Sequence, residues 1–462
     1  MLWIPWIKIV CELRPAFSHR RTFCWAVITL IGLTVRSDMA GVTSLVRATG
    51  IRPKFYQSLL DFFHSSAIDL ELLTSLWASL CLKLFSNKLT KFNGRVVLLA
   101  DGIKVAKSGR KMPGVKLLYQ SSSNNNKAPF FMGHSCQAVS LLVNAGKSHL
   151  AVPLVTRIHE GPKRTNRDKN TLIDKLVNLI KELGIGENYY LVADAYYAAQ
   201  GIANGIDGHL ITRVKSNAVA YQKHEGPHAG PGRRKFYGKK TKLQQCFINQ
   251  KAFQSAESPV YGEKGVTIRY QSMDLIWRGL GRVVRFVLVD HPSRGRCILL
   301  STDLELTGLQ IIELYGLRFK IEVGFKQAVH QVGTFAYRFW MRSMKRSSRG
   351  KGTEYLHRAS EEYRAAFLKK FQAYQVHIQL GVIAQGLLQY LSVFYSTEVW
   401  SGFKGWLRTI RPGIAPSEQV VSMALRAGLL EFFMGNKMGP ELKEFLEERV
   451  DLASYREFRL AS

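Results

Sequence analysis

Acidic residues are scarce in this 462-residue chain. Thirty-four Asp plus Glu stand against 65 Lys plus Arg, leaving a net charge of +31 and a pI near 10. That deficit implies an anionic polymer as partner, with nucleic acid ahead of an acidic membrane surface or ribosomal RNA. No single basic tail carries the surplus, which favours a long DNA footprint over a tethering arm. Cysteine is also sparse: six residues with no CxxC, and no His pair at zinc-ligand spacing. This excludes structural zinc and fits a reduced, cytoplasmic protein. No early apolar run is long enough to cross a bilayer. Residues 22–35 follow Arg20 and Arg21, span only 14 positions, and end at Arg36-Ser37-Asp38, which is no small-residue cleavage site. They read as a buried helix. Residues 376–395 are longer but carry His377, Gln379, Gln385 and Gln389, as a packed helix does. No internal repeat is visible, and the length suits two to four domains with their own cores.

Against that background three carboxylates stand out. Val96-Val97-Leu98-Leu99-Ala100 stops at Asp101, and Tyr189-Tyr190-Leu191-Val192-Ala193 stops at Asp194. Short continuous apolar runs read as strands buried on both faces, and reactive groups collect at the carboxyl ends of such strands. A lone aspartate there is more often a turn former or a helix cap. Further on, Leu314, Leu317, Ile321, Phe325, Ala328 and Val332 form a helical stripe. Tyr315, Arg318, Glu322 and Lys326 follow the same rhythm on another face. Taken alone, a Glu between two cations is a surface charge ladder. Together with two strand-end aspartates it becomes a third carboxylate able to share a pair of divalent cations.

Residues 20–90 read as mostly helical. Within them, residues 43–47 and 54–64 flank Gly50-Ile51-Arg52-Pro53, a break that fits a helix-turn-helix and equally two packed helices without a DNA role. Beyond Asp101, the cations Lys104, Lys107, Arg110, Lys111 and Lys116 surround Gly109, Pro113 and Gly114, as in a basic loop near phosphate. A polar loop at 121–127 precedes a strand in which His134 reads as a satisfied core histidine more readily than as a ligand. A helix over 171–183 ends at Gly184, and a strand over 209–213 carries Arg213. Residues 223–242 are rich in Gly, Pro and base and read as a solvated loop. Segments 266–270, 273–277, 283–289 and 296–301 read as short strands, with Trp277 either covering the sheet or stacking on a base. Arg338, Arg342, Lys345, Arg346, Arg349 and Lys351 form a basic junction. Helices follow over 361–395, from Ser417 to near Gly435, and over 441–458.

The three carboxylates, the basic stretch Gly109-Arg110-Lys111-Met112-Pro113-Gly114, the run Ala193-Asp194-Ala195-Tyr196-Tyr197 and the signature Tyr315-x2-Arg318-x3-Glu322 resemble the DDE transposases of bacterial insertion sequences. The likeness is to those with a β-strand insertion in the catalytic domain, and it runs from about Val96 to Gln331. One feature departs. The family's lysine seven residues after the glutamate is Val329 here, while Lys326 and His330 lie close by.

The resemblance implies an α/β fold: an RNase H-like catalytic core interrupted by a β-rich insertion, with N- and C-terminal helical regions. It divides the chain into a helical end-binding region (1–90), a core in two parts (91–215 and 301–345), the insertion (216–300), and a helical, multimerising C-terminal region (346–462). It also implies Mg²⁺-dependent cleavage at transposon ends and transfer of the 3′-hydroxyl into target DNA. Asp101, Asp194 and Glu322 would hold two Mg²⁺ ions, with Mn²⁺ as a substitute. Tyr315, Arg318, Lys326, Lys104, Arg110, Lys111 and Arg213 would contact DNA. The partners implied are terminal inverted repeats and target DNA, with a homodimer in the DNA complex and no membrane. Two alternatives remain open from sequence: a nuclease on the same scaffold without strand transfer, and an inactive DNA-binding relic.

Overall fold

A computed structural model describes residues 2–120, 128–186, 188–226, 230–232, 235–348, 350, 352–406, 410–411, 413–435 and 437–452. The polar loop at 121–127, Arg349 and Lys351 of the basic junction, and the end of the C-terminal tail lie outside the described residues. The fold is mixed α/β, built on one 13-stranded sheet with helical regions at both ends of the chain.

The strand Arg95–Ala106 sits at the centre of the core. It pairs in parallel with Tyr189–Ala193, which pairs in parallel with His209–Val214. On its other side it pairs antiparallel with Phe130–Asn144, which in turn carries His149–Ile158. This order, with the first strand central and two parallel strands on one side, is RNase H-like. The later strands do not form a sheet of their own. Gly295–Ser301 pairs antiparallel with His209–Val214 and is followed outward by Arg282–His291 and Thr267–Trp277, with Val219–Lys223 and Tyr237–Lys242 at the far edge.

Side chains alternate across the central strands, so each parity builds one core. Leu98, Ala100, Leu191, Ala193 and Leu210 face the N-terminal helices and the long helix Glu361–Phe394. Val97, Leu99, Tyr190, Val192 and Ile211 face the opposite way, against Ile311, Leu314, Leu317 and Ile321 of the glutamate helix. The long helix is the one described helix apolar enough to cross a membrane, yet 89% of its most apolar stretch is buried. Its glutamines explain the polar interruptions. Gln375, Gln379 and Gln389 donate to the carbonyls of Ile158, Leu154 and Ala151, at 3.2, 3.1 and 3.3 Å. They thereby satisfy backbone groups of a strand that would otherwise present an open edge.

Several local expectations need correction. The strand bearing Asp101 does not stop there; it runs on to Ala106, because Phe130–Asn144 keeps pairing with it after Tyr189–Ala193 has ended. Segments 266–270 and 273–277 are one strand, Thr267–Trp277, held straight by continuous pairing with Arg282–His291. Within 223–242, Tyr237–Lys242 returns as a strand on Val219–Lys223, and its lysines are the charges that protect a sheet edge. The helix starting after Ser417 breaks at Gly428 into Glu418–Ala427 and Leu429–Met434.

Candidate active site

The pairing register sets the site. Ala100 lies opposite Ala193, so Asp101 and Asp194 follow side by side on adjacent strands. Asp101 has the parity of Val97 and Leu99, and Asp194 that of Tyr190 and Val192. Both therefore face the layer covered by the glutamate helix. Thr307 starts that helix with a capping box on Gln310. Gly308–Leu317 and Phe319–Gln327 are separated at Arg318, where backbone N–H groups bond to the third residue back: Arg318 N to Tyr315 O at 3.2 Å, Ile321 N to Arg318 O at 3.1 Å. The expected single helix is therefore tightened at Arg318. Gly333, left-handed at φ 66°, ends it after a π turn.

Arg318 links the carboxylates. Its Nη1 donates to Asp101 Oδ2 at 2.5 Å and its Nη2 to Glu322 Oε1 at 2.8 Å. The guanidinium and the Asp101 side chain are only 16% and 18% exposed, whereas Glu322 is 56% exposed. Burial pushes the Asp101 carboxyl up to about 6; Arg318 and the Gly102 N–H oppose the shift, and the nearby charges of Asp194 and Glu322 add to it. Burial disfavours the Arg318 charge, but Asp101, Tyr315, Glu322 and Asp194 outweigh it and hold its pKa above the usual value. Burial likewise raises the Tyr315 hydroxyl, which therefore stays a donor. The carboxylate of Asp194 has no hydrogen-bond or ion-pair partner among the described residues, although its carbonyl accepts from Tyr197 N and Thr212 Oγ1.

These features decide how a cation would fit. Hard oxygen donors from three carboxylates suit Mg²⁺. One of them is unpartnered, and another is held above its ordinary pKa chiefly by burial, with the like charges of Asp194 and Glu322 adding to it. Among the described residues, however, no three such side chains are close enough to hold one ion together. The positive charge between Asp101 and Glu322 is the guanidinium of Arg318. The donor set fits, provided Arg318 gives up its two contacts.

The other expected contacts divide into two groups. Lys104 lines a cleft of about 540 Å³ with Asp101 and Asp194, its Nζ donating to Tyr119 O at 2.6 Å. Arg213 has the parity of Ile211, and its charge reaches Tyr315. Lys326 is exposed one turn beyond Glu322. Arg110 and Lys111 are not at the carboxylates. They line a separate groove that also holds Val329, and Lys111 donates to Arg342 O at 3.0 Å. His134 is buried and satisfied, as a core histidine should be.

Two residues at the site had no role assigned to them from sequence. Glu160, paired with Lys116 at 3.1 Å, lines the cleft although nothing in its local sequence marks it. Tyr197 lies beneath the aspartates, both of which help burial raise its pKa. Its place in the run Ala193-Asp194-Ala195-Tyr196-Tyr197, three residues after Asp194, was the available signal.

A sheet of this order, with Asp101 in its central strand beside Asp194 at the end of the next and both facing a helix that carries a glutamate, has the architecture of an RNase H-like α/β nuclease. The sequence model described as DDE superfamily endonuclease matches residues 12–275, more than half of the chain, and the protein belongs to that family. The match takes in Asp101 and Asp194 and ends before Glu322. No curated protein matches the chain. Membership makes this a transposase-type nuclease whose substrate is DNA, in a family that generally uses divalent metals.

Proposed function

We propose that the protein is a transposase that cuts at the ends of a mobile element and transfers the freed 3′-hydroxyl into target DNA. The observation that carries this reading is the convergence of Asp101, Asp194 and Glu322 on one face of the sheet, with Asp194 unpartnered. The three carboxylates would hold two Mg²⁺ ions, with Mn²⁺ substituting, and a bound pair supplies charge stabilisation for the attacking and leaving oxygens of an in-line displacement.

The chain's own residues do the positioning. Arg318, once released from Asp101, is placed to grip a phosphate beside the scissile bond with its two-pronged donor. Tyr315 offers a protonated hydroxyl to a neighbouring phosphate, while Lys326, Lys104 and Arg213 add charge around the site. Water attacks phosphorus and the 3′-oxygen leaves with a proton. That hydroxyl then attacks a target phosphodiester, forming one P–O bond and breaking one, so joining needs no outside energy source.

In this reading residues 1–90 bind the terminal inverted repeats, 91–215 and 301–345 form the catalytic core, and 216–300 are the insertion. Residues 346–462 support a homodimer in the DNA complex, which works on DNA in the bacterial cytoplasm. The test is a labelled duplex carrying the element's terminal repeat, incubated with supercoiled plasmid and Mg²⁺. Label should enter the plasmid with wild type and not with Asp194→Asn. Cleavage without joining would replace this reading with a plain nuclease.

A further inference from the structure

A second basic surface lies apart from the carboxylates. After Gly333 the chain runs through residues 334–347 with alternating burial: Phe335, Tyr337, Phe339 and Met341 turn inward, and Arg338, Trp340 and Arg342 outward. Its underside is tied down along its length. Lys107 donates to the carbonyls of Phe335 and Tyr337, with its ammonium 3.5 Å from the Tyr337 ring centre. Nε2 of His134 donates to Pro113 O, so its Nδ1 accepts from the Tyr337 hydroxyl at 2.7 Å. The Tyr374 hydroxyl donates to Phe339 O at 2.6 Å. Met341 N and Ser347 N donate to Lys111 O and Arg110 O at 2.9 and 2.8 Å. A segment fixed this way presents its outer side chains in set positions.

Those outer side chains are unusual together. Trp340 is 61% exposed and has no ring contact among the described residues. Neither Arg338, Arg342 nor Arg346 has an ion-pair partner among them. Two grooves of about 880 and 1010 Å³ meet at Arg338 and Trp340, which line both. Arg110 and Lys111 wall the first; Tyr56 and Gln57 of the helix Tyr56–Phe63 and Lys369 and Lys370 of the long helix wall the second. Asp61 is the sole acid among the described residues lining either. A lone exposed tryptophan needs no explanation. An exposed indole carried on a tied-down backbone among cations without ion-pair partners is the combination that binds unpaired nucleic acid, the ring stacking on a base while the cations meet phosphates.

The fold also places this surface relative to the cut. The first groove is lined by Val105 and Ala106, on the strand of Asp101, and by Val329, seven residues after Glu322. A strand rise of ~3.3 Å per residue puts Asp101 ~13–17 Å away. A helical rise of ~1.5 Å puts Glu322 ~10 Å away. At ~3.4 Å per nucleotide of duplex, the near wall of this groove lies ~3–5 nucleotides from the carboxylates.

We propose that Trp340 stacks on an unpaired base of the DNA strand at least ~3 nucleotides from the phosphodiester being cut, with Arg338, Arg342 and Arg346 on neighbouring phosphates. Only the nucleotide count rests on the carboxylates being the catalytic centre. The test measures binding in EDTA, where cleavage does not interfere, using a fluorescent blunt duplex and the same duplex with a short single-stranded tail. Wild type should prefer the tailed duplex by ~5–100-fold. Trp340→Ala should erase that preference, and Trp340→Phe should keep most of it. The triple variant Arg338→Ala, Arg342→Ala, Arg346→Ala should weaken binding to both DNAs and flatten the salt dependence by ~2–3 in slope. All four side chains are exposed, and circular dichroism checks folding. A tail preference that survives in Trp340→Ala overturns the stacking, and an unchanged slope in the triple variant overturns the groove as a DNA path. An Asp194→Asn protein that still cut DNA would instead sink the proposed catalytic assignment and leave this result standing.

Discussion

Replacing Arg318 by glutamine removes the one positive charge between Asp101 and Glu322 while keeping most of the side chain's volume. Two unit charges about 4 Å apart are worth ~4 kcal/mol at an effective dielectric of ~20. Leaving one partner of a fully buried pair uncompensated costs ~3–5 kcal/mol. Asp101 is 18% exposed, so its share is somewhat smaller, and the arm to Glu322, 56% exposed, adds at most ~1 kcal/mol. A loss of ~2–4 kcal/mol is therefore expected at pH 8 without metal. The loss should depend on pH. The Asp101 carboxyl is raised to about 6 in the folded chain, above its unfolded value, so the folded state holds the extra proton and ionisation costs stability as pH rises through that interval. At pH 5 Asp101 is mostly protonated in both proteins, and the difference between them should shrink to ~1 kcal/mol. Urea titrations of wild type and Arg318→Gln in EDTA at the two pH values read this directly, because other acid-sensitive groups cancel in the comparison. Adding Mg²⁺ at pH 8 should stabilise the variant more than the wild type, since the guanidinium no longer competes for the carboxylates. An equal loss at both pH values, with no differential effect of Mg²⁺, would refute the idea that Arg318 neutralises this cluster.

Other expectations follow from buried groups. Burial lowers His134 and His377 to about 3, so the unfolded chain takes up protons first as pH falls below ~6.5, and each histidine costs ~1.4 kcal/mol per pH unit from there down towards its folded value; urea midpoints of His134→Gln and His377→Gln should show a flatter acid limb than wild type. Gly386→Ala, which in an exposed helix would stabilise, should instead destabilise by ~1–3 kcal/mol, because the new Cβ would meet Trp77 Cζ2 at 2.3 Å; a raised melting temperature would show that the indole moves aside freely. Lys107→Met should leave the Phe335 and Tyr337 carbonyls without their donor, costing ~1–3 kcal/mol, and should speed hydrogen exchange in residues 334–347; unchanged exchange would mean the strap is held by packing alone. Lys326→Ala should weaken DNA binding and reduce the salt slope by ~1, with no effect on folding; an unchanged slope would return Lys326 to the surface ladder.

What could be read from the sequence was what local pattern controls. The continuous apolar runs before Asp101 and Asp194 read as strands buried on both faces, and the stripe from Leu314 to Val332 as a covered helix face, and the structure has both. What could not be read depends on partners distant in sequence. Nothing near Asp101 shows that Phe130–Asn144 will carry its strand on to Ala106. Lys107 sits in a run of cations and has the composition of a phosphate-facing residue, yet residues 335–337 fold over it and turn it into a buried anchor. Arg110 and Lys111 share that run and belong to another groove. The signature Tyr315-x2-Arg318-x3-Glu322 told which residues share a helical face, but not that Arg318 lies between two carboxylates.

The dependence on register reaches further than the choice of residues. Asp101 and Asp194 are neighbours because Ala100 pairs with Ala193, and they face the glutamate helix because Val97, Leu99, Tyr190 and Val192 already fill that side of the sheet. Slipping one strand by a single residue would turn its aspartate to the opposite face and take its apolar side chains out of the core at the same time. The free energy that holds the two aspartates side by side is therefore hydrophobic burial in the sheet below them, which opposes their mutual repulsion without any contact to either carboxylate. A charge brought to the top of that sheet, whether the guanidinium of Arg318 or a divalent cation, has only to neutralise a cluster that the core has already assembled.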